Sequence, residues 1–261
     1  MLSITLDSFL NFLSLLKRKI HFILSSKVNI DNQKNLQHLS LEKLFSYYNT
    51  DKANFLNSKK NRGHGYTKFY LKHLKEFKNK KINILEIGSY SGASAASFSK
   101  FFKKANIFCI DVNISNFKYY SKNIKVYGLD AGNKNNVIKF FKKIKINKDE
   151  FFFDVIIDDG SHKLKDMLSS FKFFFNNLKA GGYYIIEDCK FPNYFKHLND
   201  KNELTVDKLC RSILNKKIFR SKILEKNFQI KIFNEINKIY SYKGNFKISD
   251  IVFLKKNSIL F

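Results

Sequence analysis

Residues 81–187 predict an α/β fold built on a mostly parallel sheet, and three observations carry that reading. Five short apolar runs alternate with segments of helical spacing. Nearly every run ends in an acidic residue. A glycine-containing turn follows the first run. Strands that alternate with helices pair in parallel and are covered on both faces, so their runs are almost wholly apolar.

The first strand is predicted over residues 82–87 and is closed by Gly88. A helix follows over 93–104, with Phe98, Phe101 and Phe102 on one side. Residues 106–111 form the second strand, ending at Asp111. A short helix is predicted over 115–122 and a third strand over 124–130, ending at Asp130. Residues 135–144 read as a helix whose apolar face is Val137, Ile138, Phe140 and Phe141. The fourth strand, 152–158, runs into Asp158-Asp159. A helix over 162–178 is broken by Gly181-Gly182, and the fifth strand, 183–187, ends at Glu187-Asp188. Beyond it, 201–215 reads as a helix. Residues 228–242 and 245–255 read as an antiparallel pair around the turn signal Lys243-Gly244-Asn245. Upstream, 36–77 is mostly helical, with a polar loop over 57–65. The expected division is a helical segment over 1–80 and a core over 81–261.

The 261 residues carry 48 Lys and Arg against 22 Asp and Glu, a net charge of +26. That balance points to an anionic partner. Only Arg18, Arg62, Arg211 and Arg220 are arginines, however, whereas nucleic-acid readers favour arginine's bidentate geometry. The lysines read first as a solvated surface, and nucleic acid ranks below a small-molecule or glycan acceptor. Cys109, Cys189 and Cys210 form neither a metal motif nor a disulfide framework, which suits a reducing compartment. The apolar stretch 1–28 is cut by Lys17-Arg18-Lys19, too early for a membrane span. Its charge follows the apolar run, unlike a signal peptide. It reads as an amphipathic helix, packed on the domain or on a second subunit, or lying on an anionic membrane surface. The expected location is cytoplasmic, with room for peripheral attachment to the inner face of the membrane.

Acidic side chains have no use inside a strand, but ligands of parallel sheets bind at the carboxyl edge of the strands. The turn Glu86-Ile87-Gly88-Ser89-Tyr90-Ser91-Gly92 is neither a dinucleotide fingerprint nor a phosphate-binding loop. An acid just before the glycine turn suits an amine-bearing ligand, and Asp111 is placed to accept from ribose hydroxyls. With this register, the sequence resembles the class I S-adenosylmethionine-dependent methyltransferases. The resemblance implies a Rossmann-like seven-stranded sheet. It also implies that Glu86, Gly88 and Gly92 border the methionine part of the cofactor, that Asp111 binds the ribose, that Asp130 sits near the adenine and that Asp158 belongs to the cofactor site.

A second constellation follows the fourth and fifth strands. If these strands are neighbours about 4.8 Å apart, Asp159, Glu187 and Asp188 converge. Three carboxylates cannot stay ionised together without a cation, and hard oxygen ligands suit Mg²⁺ or Ca²⁺. His162 lies close enough to take a proton from a substrate hydroxyl. The segments Ile157-Asp158-Asp159-Gly160-Ser161-His162 and Ile186-Glu187-Asp188 are similar to those of the metal-dependent macrolide sugar O-methyltransferases, the mycinamicin and macrocin type. Thr50-Asp51-Lys52 and His64-Gly65-Tyr66-Thr67 match that group loosely. The resemblance implies metal ligands at Asp159, Glu187 and Asp188, a base at His162, and methyl transfer from S-adenosylmethionine to a hydroxyl of a sugar or glycan precursor. RNA methylation through the basic surface, or a membrane scaffold on a degenerate fold, are the alternatives. Self-association through the apolar N-terminus is compatible with any of these.

Overall fold

The computed structural model describes residues 6–56, 61–147 and 150–258, with side chains from residue 13 onward. In chain order the elements are α1 (Leu6–Leu24), β1 (Val28–Asn29), α2 (Leu41–Tyr48), α3 (Thr67–Leu74), β2 (Ile82–Ile87), α4 (Ala93–Phe101) and β3 (Ala105–Asp111). They continue with β4 (Tyr119–Tyr120), β5 (Ile124–Gly128), α5 (Lys134–Ile144), β6 (Phe153–Asp158), α6 (Leu164–Phe174) and β7 (Leu178–Ile186). Then come α7 (Phe191–Tyr194), α8 (Val206–Leu214), α9 (Lys226–Glu235), β8 (Ile236–Lys243) and β9 (Asp250–Lys256). No described helix is long and apolar enough to cross a membrane.

Seven strands form one sheet in the order β5-β3-β2-β6-β7-β9-β8. The first five are mutually parallel, and β9 runs antiparallel to both of its neighbours. This is the expected seven-stranded class I methyltransferase sheet. β1 and β4 form a separate small parallel pair. Strand side chains alternate between two apolar layers. On β2, Ile84 joins the layer of α2, α3 and α4, while Leu85 joins that of α5, α6, α8 and α9. β6, β7 and β9 do the same with Val155/Ile156, Tyr183/Tyr184 and Ile251/Val252, as a period of two requires. Ile30, Leu44, Phe45 and Tyr70, all upstream of residue 80, share the layer that contains Ile84 and Phe98. Local signals set the ends of these elements. Ser40 caps α2 by accepting from the Lys43 N–H, and Asn133 caps α5 by accepting from Asn135 and Asn136.

Four expectations are corrected. Residues 115–122 are not a helix; after a 3₁₀ turn at Ile114–Asn116, Tyr119 and Tyr120 pair with Val28 and Asn29. That pairing is non-local, and local periodicity does not report it. Residues 228–235 belong to α9, not to a strand, because Phe228 and Ile232 are buried at helical spacing. The last strand starts at Asp250 because residues 244–249 are held as a turn, Gly244 N–H to the Ser249 carbonyl and Asn245 N–H to the His64 carbonyl. Gly181-Gly182 does not break a helix. α6 has already ended at Phe174, and the glycine pair lies within β7, where the Gly181 N–H reaches the Asn257 carbonyl.

Phe171 is fully buried and meets Tyr184 and Phe228 edge-on, at 5.0 Å and 5.7 Å between ring centroids. Truncating it to alanine is expected to cost about 3–5 kcal/mol. Exposed Tyr120→Ala is expected to stay within about 0.5 kcal/mol. Denaturant unfolding of the two variants checks the contrast.

Candidate active site

The chain reverses its direction of travel across the sheet at β2, with β3 and β5 on one side and β6 and β7 on the other. Ligands of open parallel sheets bind at such a switch point, beyond the carboxyl ends of the strands. Two clefts open there. One, of about 380 Å³, is lined by Gly88, Tyr90, Asp111, Asp130, Asp158 and Met167 among others. The second, of about 340 Å³, is lined by Thr50, Lys52, Ser89, Ser94 and His162 among others. Gly88, Tyr90 and Asp159 line both, so the clefts meet where the glycine turn faces the end of β6.

The turn is built for close approach. Gly88 has φ +85°, and a Cβ there would stand 1.9 Å from the Asp159 carbonyl oxygen. Gly92 has φ +78°, and a Cβ there would enter the Phe117 ring at 2.5 Å. No L side chain fits either place. Asp111 fixes the turn to the end of β3 by accepting from the Tyr90 and Asn113 backbone N–H groups, each at 2.7 Å. Asp130 is held by the Gly132 N–H at 2.8 Å. Asp158 is buried, accepts from the Ser170 hydroxyl, and is pushed up to about 6 by burial. Asp111 and Asp130, expected at the ribose and adenine, and Asp158, expected in the cofactor site, therefore line one cleft. Glu86 is fully buried behind the turn. One of its oxygens accepts from the Ser94 hydroxyl, and the other, Oε2, has no partner. Burial raises its pKa to about 7, against the lowering pull of Lys52. A partnerless buried carboxylate oxygen beside a glycine turn fits an amine-bearing ligand such as S-adenosylmethionine.

The second constellation also assembles, joined by Lys52, to which the sequence reading assigned no role, and by Tyr70, which it did not single out. β6 and β7 are adjacent, so Asp159, Glu187 and Asp188 share one edge. The Lys52 ammonium lies among them, 2.5 Å from Asp159 Oδ2 and 2.8 Å from Glu187 Oε2. Burial favours the neutral amine, but Asp159 and Glu187 outweigh it and hold the pKa well above the ordinary range. The other Glu187 oxygen accepts from the Tyr70 hydroxyl. Asp188 Oδ1 accepts from the Tyr66 hydroxyl at 2.5 Å and lies 3.2 Å from His64 Nδ1. Burial lowers the His64 pKa, and the bond to Asp188 more than reverses this. Lys52 and Tyr66 arrive together because backbone bonds tie 51–53 to 64–66: His64 N–H to Asp51, Gly65 N–H to Ala53, and Tyr66 N–H to Lys52. Sequence alone offered only the loose Thr50-Asp51-Lys52 match, one lysine in a chain of 48 basic residues.

His162 does not begin a helix. It precedes α6 in a left-handed conformation, φ +55°, with its ring against Phe191. Its Nε2 lies 3.8 Å from Asp159 Oδ1, and its Nδ1 is buried without a partner. Asp188, at φ +48°, and Tyr90, at φ +41°, are also left-handed. Such strain in non-glycine residues concentrates where function holds it. Ligand atoms of Asp159, His162 and Asp188 lie within 4.8 Å of one another, a set that does not include Glu187. The Asp159 and Asp188 carboxylates supply hard oxygen donors beside the His162 ring, and such donors fit a divalent cation such as Mg²⁺.

Strand order, glycine turn and acidic edge together define a class I methyltransferase fold. The chain is similar to enzymes that methylate sugars of natural products. It is 29% identical to mycinamicin VI 2''-O-methyltransferase of Micromonospora griseorubida over 57% of this chain and 35% of that protein. It is 32% identical to L-olivosyl-oleandolide 3-O-methyltransferase of Streptomyces antibioticus over 51% of this chain and 34% of that protein. The matched stretches thus span about a third of these curated relatives. Among solved structures, a methyltransferase of the mycinamycin biosynthetic pathway, in complex with Mg, SAH and mycinamycin VI, superposes with a TM-score of 0.64 at 21% identity. That superposition covers 84% of this chain and 55% of the other. No family model matches the chain.

Replacing Lys52 by methionine removes the only ammonium within bonding distance of Asp159 and Glu187 among the described residues. It is expected to destabilise the fold by about 3–5 kcal/mol, as breaking a buried ion pair from one side does. Urea unfolding of K52M beside the parent chain measures it.

Proposed function

We propose that the chain transfers a methyl group from S-adenosylmethionine to a hydroxyl of a sugar or glycan-like acceptor, with Mg²⁺ assistance. The observation that carries this reading is the meeting of two clefts at Gly88 and Asp159, one lined by the nucleoside-side acids and the other by Lys52 and His162. The relatives named as sugar O-methyltransferases support the same class of acceptor. Residues 1–80 are read as the segment that completes this site, since Lys52, Tyr66 and Tyr70 reach the carboxylate edge from it.

Bound S-adenosylmethionine would supply an electrophilic methyl on a sulfonium. Asp111 and Asp130 take its ribose and adenine side, Glu86 lies toward its amino group, and Gly88 and Gly92 let the backbone approach it. Mg²⁺ would be held by Asp159 and Asp188, with Glu187 beside them on Lys52 and Tyr70, and would polarise the acceptor hydroxyl. His162 takes the hydroxyl proton on Nε2, and Asp159 beside it stabilises the imidazolium that results. Tyr66 and Tyr70 orient Asp188 and Glu187.

Calorimetric titration of S-adenosylhomocysteine, with Mg²⁺ and then with EDTA, tests the reading. Micromolar binding in both is expected, and no binding in either would overturn it. His162→Ala and Asp159→Ala are each expected to lower turnover of a sugar acceptor by at least about 100-fold while S-adenosylhomocysteine still binds. Retained turnover in both would remove these roles.

The raised Glu86 pKa gives the binding a pH signature. Below about 7 the side chain is largely protonated, and above it the carboxylate behind the turn would attract the ligand's ammonium. Affinity for S-adenosylhomocysteine is therefore expected to rise as pH increases through this range. Glu86→Gln is expected to flatten the rise, as read by titrations at a series of pH values.

A further inference from the structure

Helix α1 presents two different faces. Phe22 packs edge-on against Phe117 at 6.4 Å, and the Arg18 guanidinium donates to the Val112 carbonyl at 3.2 Å. These contacts hold the domain-facing side. Leu13, Leu16, Ile20, Ile23 and Leu24 recur at helical spacing on another side, and all five are exposed. Ile23 at 75% and Leu24 at 79% are more exposed than any other large apolar residue described. Lys17 and Lys19, both exposed, flank the stripe on its two sides. Beyond the helix, exposed Val28 continues the apolar character, and its strand neighbour Asn29 pairs with Tyr120, 53% exposed.

We propose that α1 is an interfacial anchor that lays this stripe into an anionic lipid surface. An apolar stripe bordered by lysines is the arrangement that buries side chains among acyl chains while ammonium groups meet phosphate. Tyrosine, with an apolar ring and a polar tip, suits the edge of such a surface. Charge decides between a bilayer and a second copy of the chain. A two-fold contact through the stripe would gather Lys17 and Lys19 of both copies at one interface, between molecules that each carry +26. An anionic bilayer meets the same lysines with opposite charge. The helix also abuts the first cleft, because the carbonyl that Arg18 holds belongs to Val112, a lining residue. Adsorption would hold the catalytic domain at the headgroup surface, with the cofactor-side cleft next to the anchoring helix.

Co-sedimentation of the full chain with vesicles tests this directly. The chain is expected to bind vesicles of phosphatidylcholine containing phosphatidylglycerol, to bind phosphatidylcholine alone weakly, and to detach progressively as salt rises. The double variant Ile20→Asp/Ile23→Asp is expected to lose at least about 10-fold in partitioning. Because both side chains are solvent-facing, its unfolding midpoint is expected to match the parent's. Lys17→Glu/Lys19→Glu is expected to abolish the preference for anionic vesicles. Equal binding by Ile20→Asp/Ile23→Asp would overturn the proposal in favour of adsorption by the general basic surface. Absence of vesicle binding, with a dimer in sedimentation velocity that this variant dissolves, would overturn it in favour of self-association.

Discussion

A single buried ammonium joins three distant parts of this chain. Lys52 comes from the loop after α2, Asp159 from the end of β6 and Glu187 from the end of β7, and the three meet within 2.8 Å. The geometry follows from charge. Two carboxylates at adjacent strand ends repel each other, and burial deepens the penalty. An ammonium between them offsets both, Tyr70 holds the other Glu187 oxygen, and Tyr66 and His64 hold the neighbouring Asp188. The helical layer of α2 and α3 is thereby fastened to the carboxyl edge of the sheet at the point where chemistry would take place. Removing Lys52 would leave the Asp159 and Glu187 carboxylates without their shared counter-charge at a largely buried edge.

The same constraint shapes what lies around it. The carboxyl edge is crowded enough that Gly88 leaves no room for a Cβ against the Asp159 carbonyl. Tyr90, His162 and Asp188 take left-handed conformations within this crowded edge. Rigid strands below and fixed hydrogen bonds above hold that strain in place. A turn that must stay open to a ligand on one side and pack without a gap on the other has few solutions, and glycine supplies them.

Much of the fold was legible in the sequence. The apolar runs that end in Glu86, Asp111, Asp158 and Glu187 read as parallel strands because a strand buried on both faces has no other pattern available. The acids read as site residues because a buried carboxylate is too costly to keep without a use. Local periodicity failed at two kinds of place. At residues 115–122 a short pairing with β1 overrode it. At residues 228–235 aromatic and β-branched residues looked like a strand, though Phe228 and Ile232 lie on one helical face. The role of Lys52 was out of reach for a different reason. The loose Thr50-Asp51-Lys52 match set its neighbourhood apart but gave the lysine no role, since that role comes from the company it keeps across more than a hundred residues.

The sequence by itself determined the class of the protein: the alternation of strand and helix, the glycine turn, the acidic edge and the amphipathic character of the N-terminal stretch. Each of these is written in residues close together along the chain, where steric and hydrophobic preferences act locally. Only the tertiary structure decided which acids share a cation, that His162 stands before a helix rather than in it, and that the apolar stripe of α1 faces solvent. Those are distances and exposures between segments far apart in sequence, and they exist only once the sheet and its two layers have closed around them.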